Sequence, residues 1–270
     1  MPELPEVETT RRGLLPLVGQ TVRQVVIRHD SLRWPIPAHL QSTLQGQPLL
    51  ELNRRGKYIL ARFAPGTVLL HLGMSGSISL LERDEPPRKH DHFDLHFTDG
   101  RVLRLHDPRR FGAVLWAGET PEEHVLLKNL GIEPLQDEFS GDWLYRQLRG
   151  RNAPIKNVIM DSHLVVGVGN IYASESLFRA GIHPRTAANR IGRARCGQLV
   201  AEIKATLQDA LRAGGSSLRD FFNADGNPGY FQQEYFVYGR TGEPCRVCAS
   251  PIQTVRMGQR STFFCKRCQR

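Results

Sequence analysis

The apolar residues of this chain change period once along its length, and that change limits what it can fold into. Up to residue 116 they alternate in short segments at 21–27, 49–52, 58–63, 68–72, 77–81, 93–97, 101–106 and 113–116. Turn signals separate the segments, among them Ala64-Pro65-Gly66 and Asp99-Gly100, the second a strong hairpin cue. From residue 142 the spacing becomes helical, over 142–148, 155–160, 170–180 and 193–213. A further helix is expected over 121–130, stopped by Gly131, and another opens the chain at Pro5 and ends near Gly13. Strands followed by helices predict an α+β, multidomain chain with an N-terminal antiparallel β-sandwich flanked by helices.

The last thirty residues add a second, independent constraint. Cys245 and Cys248 form one close pair, Cys265 and Cys268 another, and sixteen residues lie between the pairs. That spacing predicts one four-thiolate zinc site. Four thiolates leave no open coordination position, so the metal supports folding, not chemistry. From 240 to 270 there are six Arg and one Lys against Glu243 alone, which suits a hairpin presented to phosphates. The whole chain of 270 residues carries a formal charge of +9, as expected of a protein with a polyanionic partner. No apolar run approaches a membrane span and the start is too polar for a signal peptide, so a soluble cytoplasmic protein with no membrane partner is expected. The fifth cysteine, Cys196, falls in a helical stretch and reads as a small buried hydrophobe.

Chemistry is concentrated at the amino terminus. Removal of Met1 would leave Pro2 as a secondary amine, and amines attack aldehyde carbons to form Schiff bases. An α-amino group titrates near 8, so a usable fraction is neutral at ordinary pH. Glu3 stands next to it as a proton donor or acceptor. Elsewhere in the first half, Arg54-Arg55-Gly56-Lys57 brings cations to a strand edge. Two Gly-flanked loops, 73–76 and 107–112, display Met74, Arg109 and Phe111. Exposed Met and Phe suit wedges inserted between base steps, although packing beneath their own loops is the plainer alternative. His90 follows a Pro-rich loop and fits a phosphate contact, whereas His92 and His96 share a strand face and could in principle hold a metal. In the second half, Gly167-Val168-Gly169 feeds a helix for which Asn170 is the natural cap, a place where backbone amides bind phosphate. Arg151 and Lys156 are expected to face the same backbone. The stretch 214–233 is the least regular, yet it carries Phe221, Phe222, Tyr230 and Phe231.

Pro2-Glu3-Leu4-Pro5-Glu6-Val7-Glu8-Thr9 resembles the opening of the formamidopyrimidine-DNA glycosylases, and Asn170-Ile171-Tyr172-Ala173-Ser174-Glu175 is similar to their helix-two-turn-helix element. The resemblance implies an N-terminal catalytic β-sandwich over 1–133, a helix-two-turn-helix DNA-binding domain with a lesion-capping loop over 134–235, and a β-hairpin zinc finger over 236–270. It implies a bifunctional glycosylase and abasic-site lyase of base excision repair, acting on oxidised purines or abasic sites in double-stranded DNA as a monomer. Pro2, Glu3, Lys57 and Arg260 are then catalytic; His90, Arg109, Arg151, Met74, Phe111 and Asn170 contact DNA. The family ascribes proton donation to the finger arginine, but guanidinium groups are poor acids, so charge stabilisation on a phosphate suits Arg260 better. Two alternatives compete: the related endonuclease VIII enzymes, which prefer oxidised pyrimidines, and a zinc-containing DNA-binding protein with no use for Pro2.

Overall fold

A computed structural model describes residues 2–215 and 235–270. Within them the chain forms two compact units, residues 2–129 with 213–215, and residues 130–212 with 235–270. The stretch 216–234, with most of the expected capping loop and its aromatics, lies outside the described residues.

The first unit is the expected sandwich of two four-stranded antiparallel sheets. Helix α1 (Leu4–Gly13) precedes β1 (Val22–Ile27), a short helix α2 (Leu40–Leu44) and strands β2 (Glu51–Arg55), β3 (Tyr58–Phe63), β4 (Gly66–His71), β5 (Ser77–Leu81), β6 (Asp91–Phe97), β7 (Val102–His106) and β8 (Ala113–Gly118). One sheet runs β1-β6-β7-β5, the other β2-β3-β4-β8. Alternation decides which side chains meet between them: Ile59, Ala61 and Phe63 of β3 and Phe93, Leu95 and Phe97 of β6 all point into one apolar core. Val7, Leu14 and Leu17 bring the opening helix and the turn after it onto that core.

Two local expectations need correction. The stretch 121–130 is not an α-helix: a single 3-10 turn at Pro121–Glu123 gives way to turns in which the Leu127 and Lys128 amides both donate to the His124 carbonyl. Leu127 is buried while Val125 is two-thirds exposed, and so short an apolar anchor does not hold an isolated helix together. The strand expected at 49–52 begins later and runs on to Arg55.

The second unit is helical and ends in a hairpin. It contains α3 (Gly141–Leu148), α4 (Ile155–Ile159), α5 (Asn170–Arg179), α6 (Arg193–Arg212), β9 (Gln253–Met257) and β10 (Arg260–Phe264). Cys196 of α6 is fully buried. Phe178, Val237, Cys245, Ile252 and Cys265 make the small apolar core beneath the hairpin. No helix among the described residues is long and apolar enough to cross a membrane.

Candidate active site and nucleic-acid interface

Pro2 and Glu3 are buried at the start of α1. Glu6 accepts a hydrogen bond from the Glu3 amide at 2.8 Å, one half of a reciprocal capping box that fixes the extended residues ahead of the helix. The helix dipole at this end favours a neutral amine over an ammonium.

One turn further on, Glu8 ties α1 to the β2–β3 hairpin. It accepts from Arg11 at 2.8 Å and from Arg54 Nε at 3.3 Å, while Arg11 Nη1 also donates to the Leu52 carbonyl. Burial pushes the Glu8 carboxyl up, but Arg11, Arg12 and Arg54 outweigh it and hold the group at about 2. The hairpin closes in two residues, Gly56-Lys57, with Gly56 at φ 56°, the Gly-X turn that matches strand twist. Lys57 is thereby placed at the turn, half-buried. Burial, then the charges of Lys57 and Arg33, pull His71 down to about 4. His71 is therefore neutral near pH 7, its Nδ1 accepting from the Gly73 amide at 3.1 Å.

The two Gly-flanked loops lie against each other. A Cβ on Gly73, whose φ is +63°, would sit 2.4 Å from the Phe111 carbonyl carbon. Met74 is 39% and Phe111 44% exposed, so neither packs beneath its loop. The Arg109 guanidinium stacks over the Phe111 ring at 4.7 Å. Asp107, unremarked in the sequence and fully buried, closes this loop: its Oδ2 accepts from the Gly112 amide at 2.7 Å, and its carbonyl oxygen lies 3.0 Å from His92 Nε2.

His92 and His96 do not share a metal site. His92 points to Asp107, whereas His96 lies 3.5 Å from Asp94 and 3.8 Å from Asp84. Asp84, Asp94 and His96 bring their ligand atoms within 4.8 Å of one another, but Asp94 already accepts from Arg28 at 2.5 Å and from Arg104 at 2.7 Å, and two guanidinium groups at one carboxylate oppose a further cation there. His90 rests among imidazoles, with ring centroids 6.1 Å from His92 and 5.9 Å from His106.

In the second unit the structure revises two expectations. Gly169, not Asn170, caps α5. The Asn170 side chain instead donates to the Ser261 carbonyl at 2.9 Å and accepts from Lys156 Nζ at 2.6 Å. Lys156 was expected to face phosphates but is 1% exposed, because Asn170 Oδ1 and Thr262 Oγ1, both at 2.6 Å, draw its ammonium inward. It thus joins α4, α5 and β10. Arg260 follows the two-residue turn Gly258-Gln259, and with Lys156 and Met160 it lines a surface hollow of about 230 Å³. Arg151 is exposed, its Nε donating to the Gln147 carbonyl. Glu175 is buried and accepts from the amides of Phe236, Val237 and Tyr238, anchoring the segment that leads into the finger.

The four cysteines converge. Sγ atoms of Cys245 and Cys268 are 3.9 Å apart, those of Cys248 and Cys265 3.4 Å, and all four lie within 4.8 Å of one another. Tetrahedral thiolates around zinc at 2.3 Å would be about 3.8 Å apart, so the cluster fits one structural zinc.

Sandwich, helical unit and four-cysteine hairpin together are the three parts that a glycosylase of the formamidopyrimidine type requires. Models of the formamidopyrimidine-DNA glycosylase N-terminal domain, of its H2TH domain and of a zinc finger found in FPG and IleRS match residues 1–114, 130–222 and 242–270. A formamidopyrimidine-DNA glycosylase of Methylobacillus flagellatus is 70% identical over 100% of this chain and 96% of its own, and one from Herminiimonas arsenicoxydans is 56% identical over the full length of both. Among solved structures, the MutM (Fpg) protein of Thermus thermophilus superposes with a TM-score of 0.88 at 40% identity, covering 99% of this chain and 98% of that one. The Lactococcus lactis Fpg mutant G226P in complex with Fapy-dG DNA gives 0.92 at 34%, covering 99% of each. The chain belongs to the formamidopyrimidine-DNA glycosylase family.

Proposed function

We propose that this protein is a bifunctional DNA glycosylase and abasic-site lyase that removes oxidised purines, 8-oxoguanine and formamidopyrimidines, from duplex DNA. The carrying observation is the burial of Pro2 and Glu3 at the start of a helix that Glu8 and Arg54 tie to the Lys57 turn. A damaged base is unreachable inside the stack, so its nucleotide must be extruded. Met74 and Phe111 then fill the gap, with Arg109 facing the orphaned partner base. The Pro2 nitrogen attacks the anomeric carbon and the base leaves. Glu3 protonates the ring oxygen and opens the sugar. The resulting iminium withdraws electrons from the neighbouring carbon, which loses a proton, and β- then δ-elimination expels the two phosphates in turn. Water finally hydrolyses the imine and frees Pro2.

Lys57 and Arg260 stabilise phosphate charge during these steps, and His90, Arg151 and Asn170 hold the backbone. Zinc at Cys245, Cys248, Cys265 and Cys268 keeps the Arg260 hairpin folded. The functional parts are read as 1–133, 134–235 and 236–270, the second with the capping loop. The protein acts as a monomer in the bacterial cytoplasm, associated with the nucleoid through its DNA substrate.

Borohydride reduction tests the reading. Protein incubated with abasic-site duplex should be trapped covalently, and peptide mapping of the trapped complex should place the sugar on the Pro2 nitrogen. An adduct on a lysine, with Pro2 unmodified, would remove the proposed nucleophile. The Lactococcus lactis enzyme has been solved with an oxidised-pyrimidine DNA as well as with Fapy-dG, so substrate preference must be measured directly. Faster excision of oxidised guanine than of oxidised pyrimidine is expected.

A further inference from the structure

Strand β6 is buried on both faces, which simple alternation does not predict. Phe93, Leu95 and Phe97 enter the core, but Asp94 and His96 on the opposite face are also only 0% and 4% exposed. Arg104, on the neighbouring strand β7 and 3% exposed, organises what covers them. One edge of its guanidinium donates to Asp94, Nε at 3.0 Å and Nη2 at 2.7 Å. The other reaches out of the sheet: Nη1 donates to the Glu85 carbonyl at 2.8 Å, and Nη2 approaches Asp84 at 3.3 Å. Arg28 neutralises Asp94 from the far side. Further along the loop, the Arg88 amide donates to Asp91 Oδ2 at 2.7 Å, and Asp91 Oδ1 meets His106 Nδ1 at 2.8 Å. The exposed loop ahead of His90 is therefore pinned at both ends by buried charge.

The geometry points to Arg104 as a positioning residue for DNA binding: it fixes the 84–90 loop and so sets where His90 meets the phosphate backbone. This rests on the reading of His90 as a DNA contact. Arg104 is 3% exposed and so acts through the loop. Its bonds to Glu85 and Asp84 serve no core packing, because the inner face of β7 is made by Leu103 and Leu105. A guanidinium can hold Asp94 with one edge and the loop with the other, whereas a lysine is a single point charge and can satisfy one of the two.

The test is a double-mutant cycle on the full-length protein, reading Kd for a duplex with a tetrahydrofuran abasic analogue and KM and kcat for cleavage. Arg104→Lys keeps a cation beside Asp94 but loses the fork. In the wild-type background His90→Ala should weaken binding about tenfold, as loss of a hydrogen bond to a charged group does. Arg104→Lys should do the same, raising KM with kcat little changed. Adding His90→Ala to Arg104→Lys should then cost less than about twofold more, the non-additivity of residues acting as a unit. Leu103→Ala, which damages the core without touching these bonds, should leave the tenfold effect of His90→Ala intact. Full additivity of His90→Ala and Arg104→Lys, or the same loss of coupling in Leu103→Ala, would overturn the assignment. If His90→Ala has no effect even in the wild-type background, the DNA reading of His90 fails and the inference falls with it.

Discussion

Two hairpins in this chain are built alike and supported in opposite ways. Both close through a two-residue turn whose first member is glycine at positive φ, Gly56 in one and Gly258 in the other, and both set a cation beside that glycine, Lys57 within its turn and Arg260 just after its own. The β2–β3 hairpin is one edge of a full sandwich, with Ile59, Ala61 and Phe63 in a large core and α1 clamped to it by Glu8, Arg11 and Arg54. The β9–β10 hairpin stands on a handful of apolar side chains, four thiolates and the ammonium of Lys156. A short hairpin can be rigid without a large core if metal and buried hydrogen bonds replace it.

The largest effect should come from removing the metal. Cys265→Ser, or prolonged chelation, deprives the finger of a contribution on the order of 10 kcal/mol. It should abolish lesion cleavage and lower bound zinc below one equivalent, while the thermal transition of the sandwich persists. A finger variant that keeps full cleavage without zinc would break the contrast. Next in size, Ile59→Ala should cost about 2–5 kcal/mol in urea unfolding of the sandwich, with zinc content unchanged. The smallest effect sharpens the comparison through pH. Glu8 is held near 2 in the folded chain against an ordinary 4.5, so its contribution is complete above about pH 4.5 and is lost as pH falls towards 2. After allowance for the exposed Arg12 partner it should amount to about 1–2 kcal/mol. Denaturation midpoints of Glu8→Gln against the wild type should therefore differ at pH 7 and converge near pH 2. An unchanged gap would refute the clamp.

What could be read from the sequence was local. Strand alternation, the Asp99-Gly100 turn and the cysteine spacing are each decided within a few residues, and the sheets and the thiolate cluster follow from them. What escaped depends on distant partners. Lys156 reads as a cation facing phosphates until Asn170 and Thr262 are brought to it, and Asn170 reads as a cap until Ser261 arrives. The stretch 121–130 has helical spacing, but Val125 has nothing to pack on. Nothing local to Asp94 and His96 says that Arg104 will draw the 84–90 loop over them. Asp107 is inconspicuous between His106 and Pro108, yet its carboxylate closes the loop that displays Arg109 and Phe111.

The missing side chain at Gly73 has a mechanical consequence. With no Cβ between the backbone there and the carbonyl of Phe111, the backbones that carry Met74 and Phe111 lie in direct contact, so on the proposed reading the two side chains would enter a duplex together, as the prongs of one tool. Even an alanine at 73 would force the prongs apart, spoiling a paired insertion while leaving each prong chemically intact.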